Sequence, residues 1–291
     1  MNLLPVLETI LPVFLIVAFG FLYGRRIRTD IDTANRLNMD IFTPALIFSA
    51  LSARGFDISN YDQLALAALI VVLGSGLVVL PLVRLLGVSW KTFVPPMMFS
   101  NSGNLGIPIL LLAFGDGALA AAIVLFLVEN TLHFTVGMYM VNHRAGLKTL
   151  LRSPMILASI AGIAVSITGL HVPSVITVPV GMVGQIAIPL MLFTLGIRMV
   201  DADLSDWKLG LWGGVLSPLS GLLMAWLATR WITLDSQQFG YLFLFAALPP
   251  AVLNYMVAEK YNQEPRRVAS IVFIANIMSV LSLSLVLSWI L

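Results

Sequence analysis

Residues 100–108 read SNSGNLGIP, and they lie in the middle of a long apolar stretch. Nine residues hold two Ser, two Asn, two Gly and one Pro. On either side the chain reads as membrane-spanning helix. Lipid offers no partner to a backbone N–H or C=O freed from a helix, so a break at that depth must be buried in protein or line a polar cavity.

The composition sets the class. The 291 residues are 59% hydrophobic and only 10% charged, with a mean hydropathy of +0.98. Soluble domains carry about a quarter charged residues, so the expected class is an all-α polytopic membrane protein. The chain has no Cys, which excludes disulfides and Cys–metal sites. His133, His143 and His171 are scattered and match no metal-ligand spacing. The pI near 9.0 follows from Lys and Arg in cytoplasmic loops and needs no nucleic acid. The N-terminus is not expected to be a signal peptide: no Lys or Arg precedes the first apolar run, and no small-residue cleavage site follows it.

A spanning helix needs roughly 20 mostly apolar residues. On that basis the sequence divides into ten spans near 3–24, 33–52, 62–83, 92–114, 117–141, 153–170, 175–198, 209–231, 238–260 and 267–290. With the N-terminus outside, fourteen of the Lys and Arg residues fall on the cytoplasmic side, and only Arg54 and Arg230 fall outside. This bias follows the positive-inside rule. A missed or added helix would scramble it.

Ten spans divide into two fives, 1–147 and 148–291, and an odd number places the halves in opposite orientations. FTPALIFS (residues 42–49) resembles AIPLMLFT (187–194) at an offset of 145. An offset of 147 carries residues 101–108 onto LPPAVLNY (248–255), a second interruption with Pro249, Pro250 and Asn254. Paired broken helices in inverted halves are the sequence pointer to a transporter binding site. Each break would create a half-helix whose N–H groups carry fractional positive charge. Asn side chains add donors and acceptors. The expected anion site is therefore Asn101, Ser102, Gly103, Asn104, Gly106 and Pro108 with Pro249, Pro250 and Asn254. A pair of kinks that only shape packing is the alternative.

At these residues the chain resembles the auxin efflux carrier family, which belongs with the bile acid/sodium symporter-like transporters. NSGNLGIP (101–108) resembles that family's first crossover. PLMLFTLGIRM (189–199) is similar to its seventh-helix signature. AALPPAVLNYMVAEKYN (246–262) resembles its second crossover. The resemblance covers essentially the whole chain. It implies ten helices in two inverted repeats, with helices 4 and 9 crossing. It also implies a scaffold domain from helices 1, 2, 6 and 7 and a transport domain from helices 3–5 and 8–10. Elevator-type alternating access, a scaffold-mediated homodimer and location in a bacterial inner membrane follow from the same resemblance. Plant hormone exporters of the family carry a long hydrophilic loop between helices 5 and 6, and here residues 142–152 form only a short basic turn. They also hold an acidic residue and a Lys inside helix 3, whereas here only Asp62 and Gln63 occur, at its outer end. The layout is nearer to prokaryotic members associated with malate, malonate and similar acids.

Glu129 lies mid-span in LFLVENTLHF, where a carboxyl is costly and a functional role is the default. His133 shares its helix face. Asn130 follows Glu129, and Asn276 is its rough counterpart near the C-terminus. These four form the expected proton or cation coupling site, for H+ or Na+, and no other cofactor is implied. The alternative is a Glu–His or Glu–backbone pair that ties this helix to the broken one. Arg36 and Asp40 read as a local ion pair, and Arg198 as a snorkelling cation at a helix end. Met191, like Met97, Met98, Met138 and Met140, reads as a lipid or packing residue. Gly74-Ser75-Gly76 and Gly213-Gly214 read as close-packing sites.

The leading function is secondary transport of a small organic anion, a malate- or malonate-like carboxylate or an auxin-like acid. A sodium-coupled carrier of the bile acid symporter type and a membrane sensor that binds without transporting are the alternatives. An intramembrane enzyme is not expected: GSG (74–76) lacks a His partner, and the Asp in FGDG (114–117) lacks a second catalytic Asp.

Overall fold

The computed structural model describes residues 3–53, 56–142 and 153–291. Arg54 and most of the basic turn, including Arg144, Lys148 and Arg152, lie outside the described residues.

The described chain is helical, with one isolated antiparallel bridge between Ser100 and Pro250. Among the described residues six helices are long and apolar enough to cross a membrane: Leu4–Arg26, Ile58–Val79, Asp116–Val141, Ser174–Arg198, Trp207–Ala228 and Pro265–Ile290. Ser102–Phe114 and Pro154–Thr168 are shorter apolar helices. The protein is a multi-pass membrane protein. Local chemistry marks many ends. Pro154 and Pro265 open their helices, where a missing N–H costs nothing. Gly87 and Gly169 close theirs in the left-handed conformation.

Several of the expected spans are interrupted, three of them at residues that meet around one site. The stretch expected at 33–52 is Ile31–Leu37, a π-turn at Asn38–Phe42, and Thr43–Leu51. The stretch expected at 92–114 runs as Trp90–Met98, a break, a π-turn at Ser102–Gly106, and Ile107–Phe114. The stretch expected at 238–260 is Ser236–Ala246, a break, and Val252–Lys260. Pro249 and Pro250 explain the last interruption, because Pro lacks an N–H and drives the residue before it out of helical geometry. Arg36 and Asp40 do not form the expected ion pair. The π-turn begins between them and changes the helical spacing on which an i,i+4 contact depends.

Packing falls into two neighbourhoods. Leu3–Arg26 lies along Ala187–Arg198, and Thr43–Leu51 packs against Pro154–Thr168 and Ser174–Gln185. Trp207–Ala228 packs on Pro265–Ile290 and on Asp62–Val79. The first pair meets backbone to backbone. A Cβ at Gly196 would overlap the carbonyl oxygen of Val17, and one at Gly20 would overlap that of Phe193. The Gly-rich stretches do serve close packing: Gly74 sits under Met224, Gly76 under Met98, Gly213 against Ile271 and Gly214 against Met278.

Candidate functional site

The two breaks meet. Asn101 donates its backbone N–H to the Pro249 carbonyl at 2.7 Å, and Ala251 donates to the Phe99 carbonyl at 2.9 Å. Groups freed by one interruption are thus satisfied by the other, which is how the chain tolerates both breaks within an apolar interior. The geometry is locked from a third helix. Asn276 donates through Nδ2 to the Pro250 carbonyl (2.9 Å) and the Val272 carbonyl (2.8 Å), and its Oδ1 accepts from Asn101 Nδ2 at 3.0 Å.

Not every freed group is consumed. Half-helices start at Ser102 and Val252, and neither start has a side-chain cap. The first N–H groups of a helix have no intrahelical partner. Gly103, Asn104, Val252 and Leu253, which supply several of them, line a cavity of about 120 Å³ beside the crossing. A single water needs roughly 10–15 Å³ on this scale, so the space admits several waters or one small organic molecule. The hollows of about 440 and 560 Å³ elsewhere are larger. The first is lined by apolar side chains such as Leu73, Leu77, Val94 and Met98, and the second holds no residue of the crossing.

Glu129 enters this cavity from Leu119–Leu132. It is 3% exposed, and its Oε2 accepts from the Ser102 hydroxyl at 2.8 Å. Oε1 lies 3.3 Å from His133 Nδ1, an ion-pair distance without hydrogen-bond geometry, so that oxygen has no hydrogen-bond partner. The His133 ring is held flat against Phe99, with centroids 4.4 Å apart and planes 13° apart. His133 also opens a π-turn, His133–Gly137. All three π-turns therefore adjoin one cavity, which is lined by Asn38 and Met39, by Gly103 and Asn104, and by His133. π-turns inside α-helices recur at functional sites.

The expected site residues separate on this geometry. Asn101, Gly103, Asn104, Glu129, Asn130 and His133 line the cavity together. Ser102 reaches it through Glu129. Gly106 and Pro108 are buried and do not line it, and a Cβ at Gly106 would press on Leu248. Pro249 and Pro250 contribute carbonyls to the crossing itself. Asn254 faces a different, very small hollow with Lys91 and Pro95, and its Nδ2 is occupied by the Phe99 and Ala251 carbonyls at 2.9 and 3.0 Å. Asn276 acts through Asn101 and Pro250. Among the described residues no three His, Asp or Glu side chains converge as a metal site.

Several cavity residues were not anticipated. Arg198 ends its helix and Met191 packs in the core, as expected of them, but both also line the cavity. Asn35, Asn38, Thr43 and Ser100 line it too, and each has a buried side-chain atom with no hydrogen-bond partner. The available signal was the run of amides and hydroxyls within an otherwise apolar span, since polar groups there need partners.

A family model described as "Membrane transport protein" matches residues 5–150 and 144–287. A protein of Methanothermobacter thermautotrophicus named as an uncharacterized transporter is 27% identical, over 96% of both chains. One of Rhizobium meliloti, provisionally named a malonate transporter, is 24% identical over 93% of this chain and 91% of its own.

Proposed function

Because the chain belongs to the membrane transport protein family, we propose that it is a secondary transporter of a small organic anion and that the crossing cavity is the anion site. Family membership makes it a transport protein rather than an enzyme. The observation that carries the anion reading is the cavity itself, where uncapped half-helix starts, amide side chains and an arginine line one space. Helix starts favour negative charge, and backbone N–H groups are suited to carboxylate oxygens. The relative named for malonate supports a short-chain organic acid as cargo. The division of packing into two neighbourhoods supports a moving transport domain and a static scaffold, built from the two inverted five-helix halves and working as an elevator. A homodimer through the scaffold, in a bacterial inner membrane with both termini outside, completes the proposal. Glu129, with His133 and Asn130, is the proposed site for a coupling H+ or Na+.

The test is counterflow. Proteoliposomes loaded with unlabelled malonate should accumulate external labelled malonate transiently, because a carrier exchanges the two. A sensor would bind the label and show no accumulation. Replacing Na+ by choline at fixed pH, then collapsing the pH gradient, separates sodium from proton coupling.

A further inference from the structure

We propose that Arg198, with Asn35 and Thr43, forms a second carboxylate subsite in the crossing cavity, so that the preferred cargo carries two carboxylates rather than one. This deepens the proposed anion transport and rests on that reading.

Arg198 ends the helix Ala187–Arg198, which packs against both Ile31–Leu37 and the π-turn Ser102–Gly106. Its side chain is half-buried and lines the cavity. A snorkelling arginine at a helix end would reach headgroups or a carboxylate. Arg198 forms no salt bridge with any described carboxylate. Asp32 and Glu259 act on it only through space. Its second face borders a hollow that also contains Asp201, Asp203 and Glu259. Two of those three are otherwise engaged: Asp203 with Arg266 at 3.6 Å, and Glu259 with the Tyr255 hydroxyl at 3.0 Å. The part of Arg198 that faces the cavity therefore has no protein carboxylate to bind and is available to an arriving anion.

Two independent orphans accompany it. Thr43 is 1% exposed and lines the cavity, yet its hydroxyl has no hydrogen-bond partner. Asn35 Nδ2 is buried there and likewise unpartnered. Both can donate, and guanidinium, amide and hydroxyl are donors of the kind that bind carboxylate oxygens. These donors come from Ile31–Leu37, Thr43–Leu51 and Ala187–Arg198. The half-helix starts come from the crossing. A monocarboxylate could satisfy one set and would leave the other empty. A short dicarboxylate satisfies both.

Binding of malonate and of its monomethyl ester, measured by calorimetry on purified protein at neutral pH, tests this. The ester keeps the chain length and removes one charge. The unaltered protein should bind malonate at least tenfold more tightly than the ester. Arg198→Gln should weaken malonate by roughly tenfold to a hundredfold, the range for a hydrogen bond to a charged group, and should change the ester by less than about threefold. Arg198→Lys, which keeps the charge, should retain part of the preference, and Thr43→Val should reduce it. These last two variants carry the test if the Gln variant does not fold. Equal binding of diacid and ester by the unaltered protein overturns the subsite and leaves the anion site standing. So does an Arg198→Gln protein that keeps the full preference. Binding of neither acid overturns the anion reading and the subsite together.

Discussion

Ser102 and Glu129, 27 positions apart, are joined by a 2.8 Å hydrogen bond from the serine hydroxyl to Oε2, both groups buried. The bond ties the start of a broken helix to Glu129, the only carboxyl that lines the cavity among the described residues. Any change at Glu129, in charge or in a bound cation, is therefore transmitted directly to the segment that supplies the proposed anion site.

Glu129→Gln should uncouple transport. The amide keeps the shape and can still accept from Ser102, but it carries no charge. Exchange of labelled for unlabelled malonate should persist, while accumulation driven by a proton or sodium gradient should disappear. Gradient-driven accumulation at the unaltered level in Glu129→Gln would assign the residue to helix tethering alone.

Asn276→Ala should destabilise the crossing. It removes three buried hydrogen bonds and leaves the Pro250 carbonyl and Asn101 Nδ2 unpaired. Each unsatisfied buried group costs about 1–3 kcal/mol. The expected result is a clear fall in Tm in detergent together with weaker malonate binding. A variant with unchanged Tm would mean that the crossing is held by its backbone pairing alone.

Gly196→Ala should loosen the contact between Leu3–Arg26 and Ala187–Arg198. The added methyl meets the Val17 carbonyl, which belongs to backbone and cannot rotate away. Overpacking of this kind costs about 1–3 kcal/mol. Thermal unfolding of Gly196→Ala beside Gly117→Ala, where a Cβ meets nothing within 4 Å, isolates the effect. Equal unfolding temperatures for the two variants would contradict the close approach.

Reporter fusions should find both termini outside and the basic turn at 142–152 inside, as the Lys and Arg distribution requires. A cytoplasmic C-terminus would remove both the ten-span count and the inverted-repeat argument.

The parts of this site that were readable in the sequence share one property: they violate the expectations of an apolar span. Pro249-Pro250 and the Gly, Asn and Pro of residues 100–108 break helix propensity, and Glu129 puts charge in hydrocarbon. The mutual pairing of Asn101 with Pro249 was not readable, because two interruptions in a sequence carry no information about their register in space. The π-turn at Asn38–Phe42 contains neither Pro nor Gly, and its one local mark is Pro44 just beyond it, which has no N–H for the Asp40 carbonyl. Arg198 ends its helix as expected, and its place in the cavity lining was not readable, because an arginine at a helix end beside a loop satisfies the positive-inside rule and the helix dipole at once. Asn254 misled in the opposite direction. Its amide caps backbone left by the break and does not face the cavity.

The central claim is that the anion sits where the two broken segments cross. The chain has no cysteine, so Asn104→Cys introduces a single thiol into the cavity lining. The decisive measurement is the rate at which a membrane-impermeant maleimide labels that thiol in proteoliposomes, with and without malonate. The account predicts that malonate slows labelling in a saturable way, with half-protection at the concentration that half-saturates counterflow. Labelling that is unaffected by malonate in a protein that still exchanges it would place the anion elsewhere.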